Sequence, residues 1–139
     1  MAEREFILPI RVYYEDTDVA GVVYYANYLK FYERARTEWL RSLGWEQDIL
    51  IEKGLAFAVA KVEANYRLPA RFNDKLLVKT TITKVRRASV VFEQQLVKDD
   101  EQQTVLNTAI IKVACVDMAT MTPAAMPEYL QEEIASAWC

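Results

Sequence analysis

The sequence predicts an α+β domain in which an antiparallel sheet of about five strands curls around one long central helix. The first observation is a stretch between Tyr24 and Leu43 whose apolar residues recur at helical spacing. The second is a series of four strand-like segments after Gly54, and the third is one alternating segment before the helix. Because a helix that is apolar over most of its circumference has to be covered, the sheet is expected to wrap it.

The N-terminal strand is predicted at residues 5–14, where apolar and polar side chains alternate and the apolar face runs from Phe6 to Tyr14. Pro9 lacks a backbone N–H and therefore indicates an edge position in the sheet. An acidic loop follows, and its Gly21 stands where a tight approach or a positive φ would be easiest.

The long helix is predicted from about Tyr24 to Leu43, with Gly44 as its C-terminal cap. The apolar positions of this segment are 25, 28, 32, 35, 39 and 43. A second short helix is expected from Glu46 to Lys53, ending at Gly54.

After Gly54 the apolar period becomes that of strands rich in Val, Ile, Thr and Phe. The predicted strands are Leu55 to Arg67, Leu76 to Val85, Ser89 to Lys98 and Thr104 to Val116. Their connections favour successive antiparallel strands, although the first connection is longer than a tight hairpin. Pro127 is expected as the first residue of a terminal helix with one apolar edge, formed by Leu130, Ile134 and Trp138. Without a repeat or a linker, residues 1–139 are expected to form a single domain.

The composition is that of a globular protein: 53% of the 139 residues are hydrophobic and 27% are charged. A formal net charge of −3 argues against nucleic acid as a partner, because phosphate binding needs a basic face. The charged residues 1–5 have neither the apolar core of a signal peptide nor a membrane span. A cytoplasmic location is therefore expected.

The two cysteines are not expected to form a disulfide in a reducing compartment. Cys115 lies in an apolar strand-like segment and is predicted to be a buried small hydrophobe, and Cys139 is predicted to be a loose tail. Histidine is absent from the sequence. This excludes Ser-His-Asp and Cys-His hydrolases, the usual histidine zinc sites and a histidine general base, and no metal site is predicted.

If the chain is an enzyme, carboxylates and backbone dipoles must carry its chemistry. Asp18 precedes the predicted helix, where free N–H groups and the helix dipole would stabilise an oxyanion. An aspartate at such a place can equally well cap the helix or a turn, and the residues alone give both readings the same weight. For Glu15 and Asp16 the expected role is to shape the loop through local hydrogen bonds.

A family resemblance covers nearly the whole chain. It is carried first by Tyr14–Asp18, Gly21, Val23-Tyr24, Asn27-Tyr28 and Phe31–Glu38, and then by Ala56-Phe57, the turn from Tyr66 to Asp74, Arg86-Arg87 and Cys115–Asp117. These segments closely resemble the signature of hot-dog-fold acyl-CoA thioesterases. Within them the chain is similar to the Tol–Pal-associated thioesterase family, a relative of 4-hydroxybenzoyl-CoA thioesterase.

The resemblance implies a hydrolase that cleaves acyl thioesters of coenzyme A and assembles as dimers or tetramers with active sites at the subunit interface. Coenzyme A belongs to the substrate, so no separate cofactor is implied. The catalytic aspartate of the family falls on Asp18 and its glycine on Gly21. Where the Tol–Pal branch usually carries histidine, this chain has Tyr25. The 4-hydroxybenzoyl-CoA branch tolerates tyrosine there and uses the backbone N–H of that position.

Two roles for Asp18 are open at this point. Its carboxylate, with a reference pKa of ~3.9, is ionised at neutral pH and can attack the thioester carbonyl or deprotonate a water. The oxygen that becomes negative would be held by the Tyr25 N–H, with Gly21 shaping the approach.

Five further residues are candidates for substrate binding, each beside a structural role. Arg86 and Arg87 would bind the phosphates of coenzyme A or form a solvated basic turn. Phe57 and Val59 would line the acyl chamber or pack in the core. Asn27 would face the acyl pocket or hold the loop at the first helical turn.

Three functions compete at this stage. An acyl-CoA thioesterase is favoured, and a hydratase or dehydratase on the same fold is disfavoured because it would be expected to use histidine. The alternative is a non-catalytic protein that binds acyl thioesters or serves as a scaffold for an acyl-carrier protein, because the fold alone does not decide function.

Overall fold

The order of the secondary-structure elements is the predicted one. The computed structural model describes residues 4–45 and 47–138. The elements are β1 (Phe6–Arg11), α1 (Tyr28–Ser42), α2 (Gln47–Glu52), β2 (Leu55–Tyr66), β3 (Lys75–Val85), β4 (Ser89–Lys98), β5 (Val105–Asp117) and α3 (Glu128–Ala137). Two short 3₁₀ turns, Tyr14–Asp16 and Tyr25–Asn27, lie between β1 and α1.

The five strands form one antiparallel sheet in the order β1-β3-β4-β5-β2. Strand β1 pairs with β3 alone among the strands described, so the edge position predicted from Pro9 is confirmed. The opposite edge is β2, a long strand of 12 residues. The antiparallel sheet with one long helix that the sequence predicted is confirmed.

Two register shifts decide which side chains reach which face of the sheet. In β2 the register shifts between Val59 and Lys61. Before the shift, Phe57 and Val59 lie on the face that carries α1, and after it Lys61 lies on the outer face. A second shift in β3, between Ile82 and Lys84, likewise places Lys84 on the outer face. Such bulges reverse the alternation of side chains along a strand.

Helix α1 packs one side against the sheet and leaves the other open. Its buried residues are Tyr28, Phe31, Tyr32, Ala35, Trp39 and Leu40. The ring of Trp39 meets Phe92 of β4 edge-on at 5.2 Å, and the Tyr32 hydroxyl donates a hydrogen bond to Asn107 of β5. The opposite side is exposed at Lys30, Glu33 and Arg34, so within one chain the helix is enclosed less completely than its apolar residues predicted.

Two predicted boundaries were wrong, and both lie beside the acidic loop. Strand β1 ends at Arg11, so Tyr14 belongs to a 3₁₀ turn, where it is exposed and stacks on Phe72 with ring centroids 3.9 Å apart. Helix α1 begins at Tyr28, so Tyr25 lies in the preceding 3₁₀ turn and is exposed rather than a core position. In both cases local hydrogen bonds of the loop override the apolar pattern.

The helix ends follow the expected turn chemistry. Gly44 has φ +84°, and its N–H donates to the Arg41 carbonyl, so the predicted C-terminal cap is confirmed. Pro127 lies just before α3 rather than inside it, and Leu130, Ile134 and Trp138 are buried as predicted.

No helix in the described part of the chain is long and apolar enough to cross a membrane.

The two cysteine predictions and the start of the second helix have different outcomes. Cys115 is buried with a free thiol, which confirms the prediction of a small buried hydrophobe. Cys139 and Glu46, the predicted tail and helix start, lie outside the described residues.

Candidate active site

The acidic loop is a small hairpin whose geometry requires a glycine. Thr17 and Val23 form an antiparallel bridge, and the Asp18 N–H donates to the Val22 carbonyl at 2.9 Å. The Gly21 N–H donates to the Asp18 carbonyl at 3.0 Å, and Gly21 has φ +79°. This is a three-residue hairpin loop with a left-handed residue at its last position. A Cβ at Gly21 would meet no heavy atom within 4 Å, so its backbone conformation, not space, calls for glycine.

The Asp18 carboxylate is exposed and only half used by this hairpin. Its Oδ1 accepts a hydrogen bond from the Ala20 N–H at 2.9 Å. Within residues 4–45 and 47–138, no donor lies within hydrogen-bond distance of Oδ2. The turn-capping role therefore accounts for one oxygen, which orients the carboxylate and leaves the second oxygen open to solvent.

Asp16, two residues earlier, is the buried anchor of the loop. Its Oδ2 accepts from the Tyr13 N–H at 2.9 Å and its Oδ1 accepts from Asn27 Nδ2 at 2.7 Å. Its carbonyl accepts from the Tyr24 N–H at 3.0 Å. The loop-shaping role predicted for Asp16 is confirmed, and the buried Asn27 amide is used to hold the loop.

The chain enters α1 through the 3₁₀ turn at Tyr25–Asn27. The Asn27 N–H donates to the Tyr24 carbonyl at 2.8 Å, and the Tyr28 N–H donates to the carbonyls of Tyr25 and Ala26. The N–H groups of Tyr25 and Ala26 have no acceptor in the part of the chain that the structure describes. Free N–H groups at such a start carry the positive end of the helix dipole.

An aromatic cluster borders this helix start. Tyr66 of β2 contacts Tyr25 and Tyr28, with ring centroids 6.1 Å and 5.8 Å away. Burial raises the pKa of the Tyr28 hydroxyl. The Ala70 N–H, which donates a hydrogen bond to that hydroxyl, lowers the pKa, and the negative charges of Asp74 and Asp18 raise it further. The negative charge of Asp18 therefore acts on the Tyr28 hydroxyl, which lies beside Ala70. Sequence reasoning missed Tyr66, because it reaches this place only through the register shift of β2.

Phe57 and Val59 lie elsewhere, in a cavity of about 230 Å³ between the middle of α1 and the sheet. Arg36, Thr37 and Trp39 of α1 line the same cavity. Its lining contains no residue of the Asp18 hairpin, so within one chain the structure does not bring these two candidates to the loop.

The structure places the two candidate arginines, Arg86 and Arg87, in different surroundings. Arg86 lies in a groove on the outer face of the sheet together with Lys61, Lys84 and Lys112. Lys61 and Lys112 face each other directly across β2 and β5, a like-charge pair that is unfavourable by itself. Arg87 is not among the residues that line this groove, and its carbonyl accepts a hydrogen bond from the Met126 N–H at 2.9 Å. The three lysines were missed because Lys61 and Lys84 reach the outer face only after register shifts, and their alignment with Lys112 depends on the pairing between strands.

Replacing Asp16 by Asn is expected to destabilise the loop. The new amide nitrogen would oppose either the Tyr13 N–H or the Asn27 amide, leaving a buried donor unsatisfied at a cost of about 1–3 kcal/mol. Urea unfolding measures this loss, and the matched control is Glu15→Gln, which changes an exposed carboxylate in the same turn. Equal stability of the two variants would contradict the anchoring role.

Comparison with known proteins agrees with this fold. A family model described as the thioesterase-like superfamily matches residues 12–134. An acyl-CoA thioesterase YbgC of Haemophilus influenzae is 46% identical over 92% of this chain and 93% of its own length. An acyl-CoA thioester hydrolase YbgC of Escherichia coli O6:H1 is 47% identical over 92% of this chain and 94% of its own.

Among solved structures, a 1,4-dihydroxy-2-naphthoyl-CoA thioesterase from Synechocystis has a TM-score of 0.86 and 27% identity. The match covers 95% of this chain and 96% of that protein. The sequence predictions of a hot-dog fold and of an enzyme of the thioesterase class are thereby confirmed. The chain belongs to the thioesterase-like superfamily.

Proposed function

We propose that this protein hydrolyses the thioester of an acyl-CoA to a free acid and coenzyme A, with Asp18 and the start of α1 as its catalytic elements. The observation that carries the proposal is the pairing of a half-free carboxylate with unpaired N–H groups at Tyr25 and Ala26. A thioester hydrolase needs a nucleophile or base and an oxyanion site, and these are the two groups. The names of the relatives from Haemophilus influenzae and Escherichia coli support the same substrate class.

Asp18 acts through the oxygen that the hairpin leaves open. In one route Oδ2 attacks the thioester carbonyl, the thiolate of coenzyme A leaves, and water hydrolyses the resulting mixed anhydride. In the other route Oδ2 takes a proton from water, and the hydroxide attacks the carbonyl. Both routes end with the acid and the thiol, and neither needs a cofactor, since coenzyme A is part of the substrate. The Ala20 N–H on Oδ1 keeps the carboxylate oriented in either route.

The Tyr25 N–H serves as the oxyanion donor. Its position precedes the first full turn of α1, so the helix dipole adds to the attraction for a negative oxygen. One such donor commonly lowers the transition-state free energy by about 2.7–4 kcal/mol. Because the backbone provides this group, the tyrosine side chain needs no catalytic part, and Gly21 contributes by allowing the hairpin turn that presents Asp18.

Replacing Asp18 by Asn is expected to reduce kcat by at least ~10²-fold, because the amide can neither attack nor accept a proton. Thiol release from a panel of acyl-CoAs measures the effect. Glu15→Gln is the matched control, since Glu15 is an exposed carboxylate three residues earlier, and it is expected to retain turnover. Unchanged turnover in Asp18→Asn would refute the assignment, and no turnover of any thioester by the wild type would favour the acyl-thioester binding or scaffold protein.

The basic groove on the outer face is the proposed site for the phosphates of coenzyme A. Arg86 and three lysines line it, and the facing pair Lys61 and Lys112 gains most from an anion between its charges. Glu63 neutralises part of this charge through its contact with Lys61 at 3.0 Å. The proposal keeps Arg86 as a ligand and gives Arg87 the solvated-turn role. An acyl-carrier protein as alternative donor of the thioester stays a prediction.

Arg86→Ala is expected to raise KM roughly tenfold for CoA esters, the loss of about one charge-assisted hydrogen bond. KM for the corresponding pantetheine esters, which lack the nucleotide, should hardly change. Arg87→Ala is the matched control from the same turn, with a small effect on both substrates. Equal effects of Arg86→Ala on both kinds of ester would remove Arg86 from the phosphate site.

A homo-oligomer, a dimer or a tetramer with active sites at the interface, completes the proposal. Strand β2 is a long edge strand whose exposed side chains include Val59, Val62 and Tyr66, and such an edge is a template for pairing with another strand. The tip of the Asp18 hairpin carries the fully exposed Val19. Pairing of two copies of this chain would cover both features, and it would explain why Phe57 and Val59 lie away from the loop of their own chain.

Light scattering at micromolar concentration is expected to give at least twice the mass of one chain. Val62→Lys, which places a charge on the exposed apolar edge of β2, should shift the protein towards monomer and lower thioester turnover in parallel. Val19→Lys tests the hairpin tip separately. A wild-type monomer with full activity would contradict an interface-built site.

A further inference from the structure

The cavity between α1 and the sheet contains a cation that the proposed chemistry does not use. Arg36 lies on the side of α1 that faces the cavity, two turns after the helix begins, and it is partly buried. Its Nη1 donates to Gln94 Oε1 at 3.0 Å. The Gln94 amide is itself held, because its Nε2 donates to the Tyr32 carbonyl at 3.1 Å and to Thr80 Oγ1 at 2.9 Å. The guanidinium is therefore positioned by a rigid, buried amide.

No carboxylate pairs with this guanidinium. Within the described ranges, no Asp or Glu oxygen lies within 4.0 Å of Arg36, although the i, i+3 and i, i+4 spacing to Glu33 and other charges predicts mutual pairs. Burial lowers the pKa of Arg36 to about 10, and the charge of nearby Glu33 works against that shift. The side chain therefore stays positively charged at neutral pH, with most of its five N–H donors unused. A partly buried cation without a counter-ion is costly, so a ligand that supplies one would be bound favourably.

Trp39 of the cavity wall carries a buried donor without an acceptor among the described residues. The indole Nε1 of Trp39 is buried and has no hydrogen-bond partner in the part of the chain that is described. The rest of the lining is mainly apolar and includes Phe57, Val59 and Phe92. Glu33, which also borders the cavity, is exposed, so its negative charge lies at the solvent side. The interior thus combines the unused donors of Arg36 with apolar walls, in a volume of about 230 Å³.

We propose that this cavity binds a carboxylate carried on a small apolar body, with Arg36 as its counter-ion. A planar carboxylate matches the fork of a guanidinium and supplies the acceptor that the cavity lacks. Two sources provide this chemistry: the free acid that thioester hydrolysis releases, or the distal carboxylate of an acyl group derived from a dicarboxylic acid. Only the choice between these sources rests on the proposed function.

Direct binding tests the site without any turnover. Wild-type protein is titrated with hexanoate, with hexanamide of nearly the same shape and with hexylamine of opposite charge. Binding is measured by calorimetry and by tryptophan fluorescence, to which Trp39 in the cavity wall contributes together with Trp45 and Trp138. Hexanoate is expected to bind at least tenfold more tightly than either neutral or cationic analogue. Equal affinity for hexanoate and hexanamide, or tighter binding of hexylamine, would overturn the proposal. This comparison holds even if a variant fails to fold.

The variants assign the preference to one side chain. Arg36→Gln is expected to remove the preference for the acid over the amide, and Arg36→Lys should retain part of it. Arg34→Gln is the matched control, because Arg34 is exposed on the same helix, over the Phe31 ring, and it should behave as the wild type. A preference that survives in Arg36→Gln would overturn the proposal. So would a change of oligomer mass in Arg36→Gln without acid binding by the wild type, which would make the guanidinium a counter-ion between subunits.

Kinetics distinguish the two sources. If the ligand is the released acid, hexanoate inhibits hydrolysis of hexanoyl-CoA, and Arg36→Gln weakens that inhibition. If the ligand is a distal carboxylate, adipoyl-CoA has a lower KM than hexanoyl-CoA, and Arg36→Gln removes the difference. Either result supports the carboxylate site, and its failure would leave the Asp18→Asn result unaffected.

Discussion

The hydrogen bonds of the buried Asp16 carboxylate are the interaction on which the candidate active site depends. This carboxylate joins three pieces of chain: the segment just after β1 through the Tyr13 N–H, the hairpin that follows, and the 3₁₀ turn before α1 through Asn27. A buried carboxylate without these donors would be strongly unfavourable. Because the donors come from both sides of the hairpin, satisfying Asp16 also sets the place of Asp18 and of the Tyr25 N–H.

This arrangement divides two similar residues into two roles. Asp16 is almost fully buried, with both side-chain oxygens bonded, whereas Asp18 is exposed, with one oxygen bonded to the Ala20 N–H. The first carboxylate has no capacity left for chemistry, and the second keeps an open oxygen in a fixed orientation. The same logic recurs at the cavity, where Gln94 holds Arg36 by one donor and leaves the others unused. In each case a satisfied buried group positions a partly satisfied one.

The sheet supports this layout through its register shifts. The shift between Val59 and Lys61 places apolar side chains of β2 at the cavity, a lysine in the outer groove, and Tyr66 beside the helix start. A strand with uninterrupted alternation would send these residues to other faces. Strand β2 is also a long edge strand of the sheet, so the features of one strand bear on the cavity beside α1, on the basic outer groove and on the proposed assembly.

The sequence by itself determined the order of strands and helices, the edge position of Pro9 and the cap at Gly44, and it named Asp18 as a candidate in a chain without histidine. These follow from periodicity, backbone chemistry and composition, which are local. It misplaced Tyr14 and Tyr25, because hydrogen bonds of the loop outweigh an apolar pattern.

Only the tertiary structure decided which side chains meet: Tyr66 with the helix start, the lysines with Arg86, and Arg36 with Gln94. These contacts depend on β-bulges and on residues up to 58 positions apart in sequence. The local sequence pattern carries no information about either.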